Sequence, residues 1–184
     1  MGAERSSQRV GRYLKTLGED RMMTSRDILW GALALGVVTG MRSMLAPTLV
    51  SRALASRDDI DGADEPARTL SSHRARQFLV PMAASEILGD KMPFAPDRTI
   101  VPSMMFRALS GGVTAAALAS ARREPVWLPA LIGATAALVA SEVGLKLRKP
   151  YQSNALTNAA LGLAEDCVAL SIGRAGIARA LGER

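Results

Sequence analysis

Ionisable side chains sit inside apolar runs along the whole chain. Arg42 lies within Ile28 to Val50, Glu86 within Phe78 to Gly89, Arg107 within Pro102 to Ser120, Glu142 within Val126 to Leu147, and Glu165 with Asp166 within Ala155 to Ile172. A charge at the centre of a bilayer costs about 2.5–3.5 kcal/mol on insertion scales. Five or six left alone would cost on the order of 15 kcal/mol, as much as a whole domain's stability. Such groups must pair, neutralise or face water, and two chemistries satisfy that requirement. Glu86, Glu142 and Glu165 would line a path for an ion, a proton or a polar solute. Alternatively the charges are structural ion pairs between helices, with Arg42 to Glu86 and Arg107 to Glu165 as the pairs that opposite sign suggests. Asp90 lies one helical turn beyond Glu86, and with Lys91, Arg98 and the prolines 93, 96 and 102 it forms a stretch suited to a loop at headgroup depth. Asn154, Asn158 and Glu165 share one helical face, a polar stripe expected to point inward.

The elements that must position these groups follow from composition. The chain has 184 residues and a formal charge of +6, a pI near 10.2 and a mean hydropathy of only +0.13. That mean averages two populations: residues 1–27 and 51–77 are polar, and most of the rest is Ala, Leu, Val, Gly and Met. Aromatic residues make up 4% of the chain, less than a soluble core of this size normally uses, whereas helices in lipid approach closely on Ala, Gly and Ser. The expected fold is all-α, an integral membrane helical bundle of four or five spans with polar loops.

In chain order, residues 1–27 read as a basic N-terminal tail or surface helix. The transmembrane domain covers 28–172, with spans near 28–50, 71–92, 102–120, 126–147 and 155–172, and residues 173–184 form a basic C-terminal tail. In the first span Gly36 and Gly40 form a GxxxG, and the stretch from Gly40 through Arg42 to Pro47 predicts a kink or break. The 51–77 connection is expected to be a solvated loop. Its acids do not make a calcium frame, because Arg57 and Arg68 occupy positions where ligands are needed. The second segment holds only about a dozen apolar residues, short of the roughly 17 a span needs, so it extends back through Ser71 and His73 or is re-entrant. Arg122 to Pro125 predicts a tight turn, and Trp30 and Trp127 suit the membrane interface. Ala84-Ser85-Glu86 and Ala140-Ser141-Glu142 hint at an internal repeat. Lys and Arg are spread too evenly to orient the chain by charge.

Several functions are excluded or disfavoured. A single cysteine, Cys167, rules out an internal disulfide, and with the lone His73 it rules out Cys/His zinc sites. No nucleophile elbow, P-loop or zinc-protease motif is present, so neither an enzyme nor a cofactor is expected. The cations are not gathered on one stripe, which argues against nucleic acid and for a lipid bilayer with anionic headgroups as partner. Assembly of copies into a homo-oligomer is compatible with the small-residue helices. The expected location is the cell (cytoplasmic) membrane, with several passes.

Three groups of residues resemble a known family: Gly40-Met41-Arg42-Ser43 with Pro47; Glu86, Asp90, Lys91 and Pro93 with Pro96 and Arg98; and the helix carrying Glu165 and Asp166. Together, over roughly Ile28 to Ile172, they are similar to the bacterial membrane proteins grouped as domain of unknown function 4126. The resemblance implies a small multi-spanning helical protein and brings neither an activity nor a functional residue with it. The 51–77 connection is longer and more polar than that family's pattern. The expectation is therefore a small transporter or channel-like protein, or a non-transporting scaffold or accessory subunit whose charges are structural.

Overall fold

The computed structural model describes residues 25–57, 60, 62–89, 101–148 and 155–182, and among them there is no strand. Among the described residues there are seven helices: α1 over 25–41, then α2 Leu45–Ala55, α3 Ala67–Ser71, α4 His73–Gly89, α5 Val101–Ala121, α6 Trp127–Arg148 and α7 Ala155–Leu181. Two of them, Val101–Ala121 and Trp127–Leu147, are long and apolar enough to cross a membrane.

Contacts between the helices fix their directions. One end of the bundle gathers the start of α1, the turn between α5 and α6 and the end of α7. There Ser25 and Ile28 share a cleft with Glu124 and Trp127, and Arg179 Nε donates to Asp27 Oδ1 at 2.7 Å. From that end α1 runs towards the other, and at residues 42–44 the chain reverses. Along α7, Arg42 faces Asp166, and two turns further on Gly173 meets both Val38 of α1 and Leu49 of α2. Both arms therefore lie along the same stretch of α7, and α1 with α2 forms a helical hairpin whose tip is Arg42-Ser43-Met44. α2 climbs back until Ser51 Oγ donates to the Leu70 carbonyl, and α3 is tied to the end of α5 by the Ala67 amide on Ser120 Oγ at 3.0 Å. α4 then descends beside α2, with Leu79 opposite Thr48 and Glu86 opposite Ser43.

Small residues set the separation of the helices. A methyl group on Gly133 of α6 would lie 2.5 Å from the Gly111 carbonyl oxygen of α5, and one on Gly36 of α1 would lie 2.5 Å from the Gly133 carbonyl oxygen. Three backbones meet at this point, which only hydrogen in place of Cβ permits. The GxxxG of α1 thus packs on α6: Gly40 follows Gly36 one turn on, against Ala137 and Ala140. A second close approach, Gly31 on Gly176 and Ala180, brings α1 against α7. The core between these lines is Leu35, Val38, Leu45, Val50, Leu54, Leu118 and Ile177.

Several sequence expectations need correction. The break predicted in the 28–50 run is present at Arg42 to Met44, and what the sequence did not show is that the chain turns back there as a hairpin. The 51–77 stretch is no plain loop. It holds the end of α2 and all of α3, and it buries Ala63, Ala67 and Leu70, since those apolar residues close the hairpin's open side. One of its acids serves the helix: Glu65 accepts from the Thr69 amide at 3.1 Å. The bond to Thr69, ahead of the neighbouring Arg68, holds the Glu65 carboxyl below its ordinary range. The tail expected at 173–184 continues α7 to Leu181, because Ile177, Ala180 and Leu181 are buried. Residues 1–24 lie outside the described residues.

The predicted turn at Arg122 to Pro125 closes α5. The Glu124 amide donates to the Ala119 carbonyl and the Arg123 amide to that of Ser120, both at 3.0 Å, with Arg123 at φ 56°. A left-handed non-glycine residue there costs about 1–2 kcal/mol. Arg123→Gly should therefore raise the thermal midpoint by about 2–4 °C despite losing the long Arg123 contact to the Gly62 carbonyl. A matched pair tests the three-helix contact. Gly133→Ala should destabilise by about 1–3 kcal/mol. Gly144→Ala on the same helix, with nothing within 4 Å of the added methyl, should stabilise by about 0.5–1 kcal/mol in unfolding titrations.

Candidate functional site at the hairpin tip

A helix ends with unsatisfied carbonyls and begins with unsatisfied amides. The hairpin tip brings one of each together among apolar helices, and charged side chains from other helices fill both. On the α1 side, Arg107 Nη1 of α5 donates to the carbonyls of Gly40 at 2.7 Å and Thr39 at 3.3 Å. Ser141 Oγ of α6 adds a bond to Gly40 at 3.1 Å. On the α2 side, Glu86 of α4 accepts from the Ser43 amide at 2.8 Å and the Met44 amide at 2.9 Å, and from Ser43 Oγ at 2.8 Å. Each charge has the sign that its helix end favours, cation at the C-terminus and anion at the N-terminus. Arg107 Nη2 stands 3.9 Å from Glu86 Oε1, so the two caps also face one another.

The tip itself is pinned. Arg42 is only 3% exposed and donates through Nε to Asp166 Oδ1 of α7 at 2.7 Å. Ser110 Oγ of α5 donates to the Ser43 carbonyl at 2.7 Å. Thr39, one turn before the tip, returns its hydroxyl to the Leu35 carbonyl at 2.8 Å, so its polar group is satisfied within the helix. The depth of the cluster follows from helix rise. Arg107 lies about 9 Å along α5 from Val101, and Ser141 about 10 Å before the end of α6 at Arg148. The site is inside the bundle and nearer one end. Its cations are buried, whereas the side chains of Glu86 and Asp166 each keep 20% of their surface open.

The family model described as domain of unknown function (DUF4126) matches residues 29–178. The chain belongs to that family. No curated protein and no solved structure matches it. In this DUF4126 chain the buried charges of four helices meet at the hairpin tip.

The structure gathers Arg42, Glu86, Arg107 and Asp166 at one place. It joins the tip to α7 through Arg42 and Asp166, and α4 to α5 through Glu86 and Arg107, where charge alone suggested Arg42 with Glu86 and Arg107 with Glu165. Glu165 is half-buried, one residue before Asp166 on α7. Glu142 faces outward and pairs with Lys146 one turn on, at 3.2 Å. It is Ser141, its neighbour, that reaches the tip, so the Ala-Ser-Glu likeness between α4 and α6 does not give the two glutamates equivalent settings. Asp90, Lys91 and Arg98 lie outside the described residues, as do the side chains of Asn154 and Asn158. Among the described residues no group of His, Cys, Asp or Glu is arranged to hold a metal ion.

Sequence reasoning missed Ser110 and Ser141 as site residues, and the tip amides with them. The available signal was a hydroxyl placed beside a charge or a glycine in each case, a pattern too common in small-residue helices to single out. A contrast tests the geometry of this DUF4126 cluster. Asp166→Asn leaves Arg42 buried without its carboxylate and should cost about 3–5 kcal/mol, whereas Glu142→Gln removes an exposed helical pair and should change stability by less than about 0.5 kcal/mol. Thermal unfolding of the three proteins under one set of conditions measures both, and equal effects would mean that the buried pair contributes no more than a surface one.

Proposed function

We propose that the chain is a multi-pass protein of the cell membrane in which α4, α5, α6 and α7 cross the bilayer and the α1–α2 hairpin re-enters it from one side. On this reading the hairpin tip is the polar centre of a path for a small ion or polar solute. The observation that carries it is the meeting of two opposed helix ends inside the bundle, held by charged side chains whose carboxylates stay partly open. Non-helical backbone at membrane depth is tolerated where it is buried in protein or lines a cavity, and half-helix ends are what transport proteins use to meet ions and polar groups.

The outer surface supports the membrane part of the reading. Val101, Met105, Leu109, Leu131, Val139 and Leu147 are exposed on α5 and α6, while Arg42, Arg107, Thr39 and Ser141 are buried. Polar inside and apolar outside is the arrangement a lipid solvent favours. Trp30 lies near Arg179, with the guanidinium 5.8 Å from the ring centre, a pairing suited to an interface with anionic headgroups. The reading involves no bond-making chemistry, no cofactor and no nucleic acid, and it leaves room for a homo-oligomer.

A second reading has its own support. Arg42, Glu86, Arg107 and Asp166 all have partners, as a non-transporting scaffold or accessory subunit with structural ion pairs would require. Flux of protons and common ions into liposomes separates the two. Under transport, wild type conducts and Glu86→Gln loses at least about 90% of the flux while still eluting as the same folded species, since a path-lining charge matters to passage more than to packing. Absence of flux for wild type across protons, sodium, potassium and chloride, with Glu86→Gln merely less stable, would overturn the transport reading in favour of the scaffold.

A further inference from the structure

The hairpin changes which side of the bundle each cation lies on. Five spans in succession would pass the connections alternately to opposite sides, and on that layout Lys and Arg divide too evenly to orient the chain. In the structure α2 returns instead to the end from which α1 sets out. The Ala67 amide on Ser120 Oγ, and Arg123 on the Gly62 carbonyl, then hold the stretch between α2 and α4 beside the end of α5. As a result Arg26 of α1, Arg52 of α2, Arg68 of α3, Arg74 of α4, Arg123 after α5 and Arg179 of α7 all lie in that half of the bundle, and each is exposed. Beyond the tip, at the opposite end, the cations among the described residues are Lys146 and Arg148 of α6, and Lys146 is paired with Glu142. The sequence between α4 and α5 and between α6 and α7 adds Lys91, Arg98 and Lys149. Acids share the arginine-rich end, with Asp27, Asp64, Glu65 and Glu124 described there. Orientation in a membrane follows the Lys and Arg near the spans, however, and acids contribute little to it.

The tryptophans mark where a headgroup layer would meet this end. By helix rise Trp30 lies about 18 Å along α1 from Arg42, and Trp127 about 21 Å along α6 from Ser141. The chain's two tryptophans thus stand at similar heights above the tip, both exposed, as amphipathic rings do at a membrane interface. Arg74, about 18 Å along α4 from Glu86, is at the same height. From Trp127 to Arg148 α6 measures about 32 Å, close to the thickness of a hydrocarbon core. We propose that the arginine-rich end is the cytoplasmic face of the protein, set against the anionic headgroups of the inner leaflet, and that the helix ends beyond the tip face the opposite side. The cytoplasmic leaflet carries the negative surface potential, so each exposed arginine at this end favours that orientation. The assignment rests on the membrane reading given above but not on transport. It gives the hairpin a direction of entry, from the cytoplasm, and it sets the polar tip nearer the outer surface than the inner.

Cysteine accessibility reads the orientation. In bacterial cells making the full chain in a Cys167→Ser background, Ser56→Cys reports the exposed end of α2, and Ser153→Cys reports the sequence between α6 and α7. A small membrane-impermeant maleimide added to intact cells should label position 153. It should leave position 56 at less than about a tenth of the labelling reached after lysis, since the cations favour one orientation. Arg52→Ser, Arg68→Ser, Arg74→Ser and Arg123→Ser together should invert about a third or more of the chains, so that position 56 becomes reactive in intact cells. In the chain with its arginines, labelling of position 56 in intact cells, or of position 153 only after lysis, would overturn the proposal. So would one-sided labelling that the four substitutions leave unchanged, because something other than these arginines would then set the orientation. Release of the chain from membranes by alkaline carbonate would remove the membrane reading itself and the proposal with it. Reversed labelling of a chain that resists carbonate would remove the orientation alone.

Discussion

A chain that reverses direction among apolar helices must do something with the backbone groups at the turn. Water would satisfy them at a surface, and inside a bundle the protein has to supply the partners. Most of this structure can be read as the answer to that requirement at residues 42–44. Arg107 meets the carbonyls of one helix end, Glu86 meets the amides of the next, and each brings the charge that the local dipole favours. The two caps then offset one another across 3.9 Å, so the tip concentrates polarity without concentrating net charge.

Bringing those side chains to the tip demands that the helices bearing them come close. Glycine at 36, 111 and 133 leaves no side chains to hold α1, α5 and α6 apart, and Ser110 and Ser141 complete the hydrogen bonding at the same separation. Small residues here act twice, as spacers and as donors. The scarcity of aromatic residues follows, because a core built from backbone contact leaves little volume for rings to fill. Leucine, valine and isoleucine fill the core instead, while on α5 and α6 further large apolar side chains such as Met105, Leu131 and Val139 are exposed.

Much of this could be read from residue order, and the failures have physical causes. The α5 and α6 segments and the turn between them are legible because long apolar runs bounded by Pro and Trp have few alternatives. The break at Arg42 is legible too, since Gly, Arg and Pro in one stretch oppose a continuous rod. Its consequence is not: a kinked helix and a hairpin have the same local sequence, and the choice is made by Val38 and Leu49 both packing on Gly173 of α7. The charged residues of the site announce themselves by costing too much to leave alone. Their partners do not, because any Arg can pair with any carboxylate until three-dimensional proximity decides. The 51–77 stretch misleads for the opposite reason. Its charges dominate the composition, while the few apolar residues that matter, Ala63, Ala67 and Leu70, have helical spacing but, with two alanines among the three, too little apolar bulk to stand out.

The bond between Asp27 and Arg179 has a consequence for connectivity. It joins the beginning of α1 to the end of α7, at the same end of the bundle as the turn at 122–125. Among the described residues the start of α1 and the end of α7 are thus neighbours. A covalent link between the neighbouring ends of α1 and α7, with a new opening cut in that turn, would leave every helix entering from the end it enters now. Order along the chain is thus largely separable from arrangement in space, and the hairpin would keep its place even if it no longer came first.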